Sequence, residues 1–244
     1  MLMRYLIVGT LLFLIGCSGI QVPDSYHYKE IQTKTYTLAS WLKITDKTQP
    51  IRIYIEGDGH AFNYAGMPTS NPTPKGTFLR KIAFNDPNPN VVYLARPCQY
   101  VTDSVCTQKD WTTGRFSQPI IDSTTEAIKT IAKDNKVVLI GYSGGALLSG
   151  LVIRQNPNLR VQEWITIAGL LNHTKWTDKL NLQPLTDSVE LEQLPTILQK
   201  HYIGEKDTTI PVELLQSIVP ADNLVVVKKA THDRGFDKEI KKVY

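Results

Sequence analysis

The chain has 244 residues, 42% of them hydrophobic, with 27 Lys plus Arg against 23 Asp plus Glu. A chain of this length buries enough surface to fold without a metal or a disulfide framework, and three cysteines exclude a cysteine-rich scaffold. A net charge of +4, scattered along the chain, makes no case for nucleic acid as a partner.

Residues 1–16 carry one charge, Arg4, followed by an almost unbroken apolar run from Tyr5 to Ile15. A positive start and a short apolar run suit a secretory signal, and the run falls short of the ~20 residues that a spanning helix needs. Leu14-Ile15-Gly16-Cys17 resembles the lipobox of bacterial lipoproteins, where the signal is cut before the cysteine and the thiol carries a diacylglycerol. That resemblance implies a lipid anchor on Cys17, each buried CH2 contributing ~0.8 kcal/mol. Ser18, by similarity to enterobacterial sorting, implies the outer membrane of the bacterial envelope, with the domain facing the periplasm. A plain signal peptide or an uncleaved anchor with a chance cysteine is the alternative. Residues 17–34 are polar, lack an apolar period and read as a tether. Export would also place Cys98 and Cys106 in an oxidising compartment, where they can close a small disulfide; two free thiols are the alternative.

Residues 35–244 read as one domain, without repeats or an internal linker. Ile51 to Glu56 is β-branched and stops at Gly57. Val91 to Leu94 is a second strand, ended by Pro97. Ser117 reads as the cap of a helix with Pro119 in its first turn, running through Ile120, Ile121, Ala127, Ile128 and Ile131. Val137 to Ile140 is continuously apolar, as in a strand buried on both faces. A helix over Ala146 to Arg154 follows, then strands at Trp164 to Ala168, Leu198 to Ile203 and Leu224 to Val227. Strands alternating with helices predict an α/β fold, a mostly parallel sheet covered on both faces.

Directly after the buried strand stands Gly141-Tyr142-Ser143-Gly144-Gly145, a G-x-S-x-G pattern. At average glycine and serine frequencies a chance match in a chain this long has odds of about one in twelve, and the flanking strand and helix lower them. The spacing has a chemical reason. A nucleophilic serine must stand on a sharp strand-to-helix turn; Gly141 and Gly145 relieve the crowding, and the Gly144 N–H at the helix start can donate to an oxyanion. An ordinary serine in a Gly-rich turn is the alternative.

Such a hydroxyl needs a base, and the base an orienting acid. Of the five histidines, His232 is the best base, because it follows the last strand. His27 falls in the tether and His201 inside a strand; His60 and His173 follow strands and can line a cleft. Asp207, after the strand ending at Ile203, is the best acid, with Glu205, Asp178, Asp187 and Asp222 as alternatives. The order Ser143, Asp207, His232, each after a strand, resembles the α/β-hydrolase superfamily over residues 35–244. The resemblance implies Ser143 as nucleophile, His232 as general base and acid, Asp207 as orienter, and a second oxyanion donor from the loop after an earlier strand. Here that loop is Glu56-Gly57-Asp58-Gly59-His60-Ala61, and Asp58 and Gly59 are the candidates. This loop, with Ala95 to Tyr100, is also similar to a poorly characterised bacterial subgroup of such hydrolases.

The stretch from Gly169 to Leu194 reads as irregular, mixed polar and apolar, and too small for a large helical cap. With His60 and Tyr142, Leu171 and Trp176 are candidates for the pocket wall, Trp176 equally for a core plug. Arg96 and Arg115 border the Cys98–Cys106 loop and read as surface ion pairs or as anchors for an anionic substrate. Lys228, Lys229, Lys238, Lys241 and Lys242 read as a solvated basic face, with anionic lipid head groups as a second option. Nothing in the pattern calls for a metal or another cofactor. The expected protein is thus an exported, lipid-anchored serine hydrolase acting on a small-molecule or lipid ester. A peptidase, a thioesterase or a non-catalytic lipoprotein on the same fold are the alternatives.

Overall fold

Strand-period alternation divides the apolar residues between two layers. In a computed structural model, which describes residues 21–101 and 103–241, Ile51, Ile53 and Ile55 belong to one buried cluster and Tyr54 to another. Val92 and Leu94 are split from Val91 and Tyr93 in the same way, as are Val137 and Leu139 from Val138 and Ile140. Such strands need cover on both sides, which is why they read as unbroken apolar runs. Residues 1–16, Cys17, Ser18 and Lys242 lie outside the described residues.

Among the described residues the strands are β1 (His27–Gln32), β2 (Thr37–Ile44), β3 (Ile51–Ile55), β4 (Asn90–Leu94), β5 (Val137–Tyr142), β6 (Val161–Ile167), β7 (Gln199–Gly204) and β8 (Leu224–Val227). They form one sheet in the order β1-β2-β4-β3-β5-β6-β7-β8. β2 is antiparallel to both β1 and β4; β4 through β8 along the sheet are parallel. The helices are α1 (Phe78–Phe84), α2 (Gln118–Ala132), α3 (Gly144–Gln155), α4 (His173–Leu180), α5 (Val212–Gln216) and α6 (Asp237–Ile240). Buried residues of α2, α3 and α5 pack in the first cluster, those of α1 and α6 in the second.

Three expectations need correction. The tether does not extend to residue 34: β1 pairs with β2 from His27 onward. Only Ile31 of β1 is buried, so an edge strand exposed along its length carries no apolar alternation to read. Ser117 does precede α2, but its side chain makes no capping hydrogen bond. The region after Gly169 is not wholly irregular either. It contains α4, whose Asn172 side chain accepts from the Lys175 N–H.

Cys98 and Cys106 are disulfide-bonded, with Cα atoms 5.8 Å apart. The chain order reverses between β3 and β5, which are adjacent in the sheet although β4 lies between them in sequence. In open α/β sheets the crevice beyond the strands' C-terminal ends at such a point is where ligands bind.

Candidate active site

The side chains picked out after β5, β7 and β8 converge at that edge. Ser143 links β5 to α3 with φ 51°, in the left-handed region that a residue with a side chain seldom occupies. The turn is held on both sides: the Ser143 N–H donates to the Ile167 carbonyl at 3.1 Å, and its own carbonyl accepts from the Leu170 N–H at 2.9 Å. The glycines explain how strand and helix come so close. A Cβ at Gly141 would lie 2.5 Å from Ala146 Cα, and one at Gly145 2.3 Å from the Ile55 carbonyl oxygen.

Ser143 Oγ is 3.0 Å from His232 Nε2, and His232 Nδ1 is 2.8 Å from Asp207 Oδ2. The other Asp207 oxygen accepts the Thr209 and Ile210 N–H groups at 2.9 and 2.8 Å. A carboxylate supported by two backbone donors is pinned, and its free lone pairs face the imidazole. His232 therefore carries its proton on Nδ1 and offers Nε2 as an acceptor to the Ser143 hydroxyl. The loops after β7 and β8 are tied together, with Glu205 N donating to Val227 O at 2.9 Å and Lys206 N to Ala230 O at 2.8 Å. Glu205, the nearest alternative acid, instead accepts the Lys229 N–H; Asp187 pairs with Lys109 and accepts from Thr113.

The loop after β3 lies against the serine: a Cβ on Gly57 would be 2.9 Å from Ser143 Cβ. The Gly57 N–H is taken by the Glu56 carboxyl and its carbonyl by Gln99 Nε2, both at 2.9 Å. Gly59, at φ 66°, packs instead on the Pro72 carbonyl and Gln99. The Asp58 carboxylate takes Arg96 on Oδ1 and Arg115 on Oδ2, the latter at 2.7 Å. Loss of solvent pushes this carboxyl up, but the Arg115 and Arg96 charges outweigh it and hold it below its ordinary value. Burial pushes the neighbouring Glu56 carboxyl up, and Tyr93 donates to it at 2.6 Å.

A cavity of about 820 Å³ opens over Ser143 and His232, within the range of small-molecule sites. His60, Tyr142 and Trp176 line it. Leu171 does not: it is fully buried in the core, and Leu170 takes the wall position. Trp176 combines both readings, standing on the cavity wall, packing on the core and donating from Nε1 to the Thr209 carbonyl at 2.8 Å. His173 faces no cleft; it is buried and stacked on Phe116. Arg96 and Arg115 are not surface pairs, since both are buried on Asp58. Sequence reasoning missed this cluster, and Phe62, because the partners lie far apart along the chain.

The chain has the α/β-hydrolase fold. Among solved structures it is similar to Est1E from Butyrivibrio proteoclasticus, with a TM-score of 0.62 and 13% identity over 88% of this chain and 95% of that one. A membrane phospholipase A described as a bacterial virulence factor gives 0.61 and 14%, over 90% and 84%. The Pyrococcus furiosus esterase Pf2001 gives 0.56 and 15%, over 90% and 91%. No protein-family model matches the chain, and no curated protein matches it in sequence.

Proposed function

We propose that the protein is a serine hydrolase cleaving carboxylic esters through an acyl-enzyme on Ser143. The observation that carries this is the unbroken relay Ser143 Oγ, His232, Asp207 at 3.0 and 2.8 Å, on a strained strand-to-helix turn. In that reading Ser143 Oγ attacks the ester carbonyl while His232 Nε2 takes its proton. Asp207 holds the imidazole tautomer and stabilises the imidazolium. The developing oxyanion meets the N–H groups of Gly144, at the start of α3, and of Asp58, the first loop residue past Gly57. His232 then protonates the leaving alcohol, and a water repeats the sequence to release the acid. The names of two structurally similar proteins, an esterase and a phospholipase A, support an ester as the bond attacked.

Incubation with a fluorophosphonate tests this. Wild-type protein should be labelled and Ser143→Ala should not; unlabelled wild type that hydrolyses no p-nitrophenyl ester would refute it. A peptidase or thioesterase would use the same relay and would separate from an esterase by its substrate preference. The lipid anchor is proposed on the Leu14 to Cys17 pattern alone. It predicts incorporation of labelled palmitate in a bacterial host, abolished in Cys17→Ser.

A further inference from the structure

The cluster beneath the candidate oxyanion loop sets two guanidiniums on one carboxylate. Asp58 brings one negative charge and meets two guanidiniums, Arg96 and Arg115, whose side chains are only 5% and 6% exposed. Arg96 Nη1 binds Asp58, Nη2 donates to the Arg115 carbonyl, and its guanidinium lies 5.0 Å from the Phe116 ring centroid. The Arg115 side chain gives Nη1 to Asp58 Oδ2 at 2.7 Å, its one side-chain hydrogen bond among the described residues, and its Nε is buried without an acceptor. Its guanidinium lies over the rings of Phe62 and Trp176, 5.7 and 5.6 Å from their centroids. Glu56, the other carboxyl close by, accepts from Tyr93 and from the Gly57 N–H, and the charges of Arg80 and Arg96 also act on it. Arg115 lines the cavity that also holds Ser143 and His232. A cation so far withdrawn from water, with donors unused, calls for a counter-charge, and the open side of this one is the substrate cavity.

We propose that Arg115 is the anion-binding residue of the substrate pocket, and that the natural substrates are esters carrying an oxyanion group, carboxylate or phosphate, on their acyl or alcohol part. This rests on the serine hydrolase reading. The unused Nη2 donor takes the anion, and Phe62 and Trp176, which line the same cavity, lie beside it. A charge-assisted hydrogen bond of this kind is worth about tenfold to a hundredfold in binding.

The test uses full-length protein in a neutral detergent and two matched substrate pairs. Mono-p-nitrophenyl glutarate against p-nitrophenyl valerate varies a carboxylate; dibutyrylglycerol phosphate against dibutyrylglycerol varies a phosphate. In wild type at least one anionic partner is expected to exceed its neutral counterpart by tenfold or more in kcat/KM. The ratio should fall towards one in Arg115→Gln and be partly kept in Arg115→Lys. The two pairs tell which anion is preferred. Calorimetry of glutarate and glycerol phosphate on Ser143→Ala reads the same site without turnover. Should Arg115→Gln not fold, the wild-type ratio and this calorimetry decide. Ratios near one in both pairs, with neither anion bound, would overturn the inference while leaving a labelled Ser143 and the hydrolase reading intact. Anion binding with no labelling and no turnover would instead keep the anion site and overturn the hydrolase.

Discussion

Asp207→Asn isolates the orienting role, because the two backbone donors decide which way the new amide faces. Asp207 Oδ1 accepts from Thr209 N and Ile210 N, and Oδ2 from His232 Nδ1. If the amide nitrogen took the Oδ1 position, two N–H donors would face an NH2 group. Each buried donor left unsatisfied costs about 1–3 kcal/mol, so that orientation is disfavoured by roughly 2–6 kcal/mol on the same scale. The amide oxygen therefore stays on the backbone, and the NH2 group is directed at His232 Nδ1. The imidazole must then accept at Nδ1 and carry its proton on Nε2, where it cannot receive the Ser143 proton. A serine hydrolase with the wrong tautomer loses about 10⁴-fold in kcat. Stability should hardly change in Asp207→Asn, whereas Asp207→Ala strands both donors and should lose about 2 kcal/mol or more. Initial rates on p-nitrophenyl butyrate, normalised to folded protein, give the first number, and urea unfolding of the two variants gives the second. An Asn variant within tenfold of wild type would show that the orienting acid lies elsewhere.

Three further outcomes follow from the geometry. In Gly144→Ala the added Cβ would fall 2.0 Å from Asp58 Oδ1, displacing the loop that supplies the second oxyanion donor; kcat should drop about 10²–10³-fold, and a rate unchanged within threefold would argue against that loop's role. His201 is fully buried between Thr166 Oγ1 at 2.8 Å and Gln199 Oε1 at 2.9 Å, and burial, helped by Lys200, lowers its pKa from 6.5 to about 4. The unfolded chain then binds the proton first, so stability should fall by about 3 kcal/mol as pH drops from 6.5 through 4; urea midpoints of wild type should show that slope, and His201→Gln should lack this part of it. Reducing the Cys98–Cys106 bond, which closes a loop with a sequence separation of 8, should cost about 2–3 kcal/mol in the chain-entropy account, measured by urea unfolding with and without dithiothreitol.

What could be read from the sequence followed from where the constraint is local. Ser143 stood out because the turn needs glycines at fixed offsets, and Val137 to Ile140 because a strand covered on both faces has no polar side. His232 and Asp207 were legible by position, since each follows a strand whose C-terminal end lies at the same edge. The losses occurred where tertiary neighbours set the outcome. β1 is a polar edge strand held by its ladder to β2. α1 is a single short amphipathic segment, buried at Leu79, Ile82 and Ala83. Leu170 and Leu171 are adjacent and chemically equivalent, and only the turn after β6 decides which faces the cavity. Arg96 and Arg115 have no acidic residue at helical or strand spacing; their partner, Asp58, comes from a different crossover.

That cluster also bears on why the site is built as it is. Fixing the loop after β3 does not require charge: buried ion pairs can often be replaced by well-packed apolar residues with no loss of stability, and Gln99 already holds the Gly57 carbonyl. One arginine would neutralise Asp58. The second adds a cation 5.7 and 5.6 Å from the ring centroids of Phe62 and Trp176, all three lining the cavity. The same carboxylate abuts Gly144 so closely that a side chain there is excluded. An anion drawn to Arg115 is thereby referred, through Asp58, to the two N–H groups proposed for the oxyanion. Substrate charge and the reacting carbonyl are thus registered against one rigid part, which is the arrangement that orients a small ester for attack by Ser143.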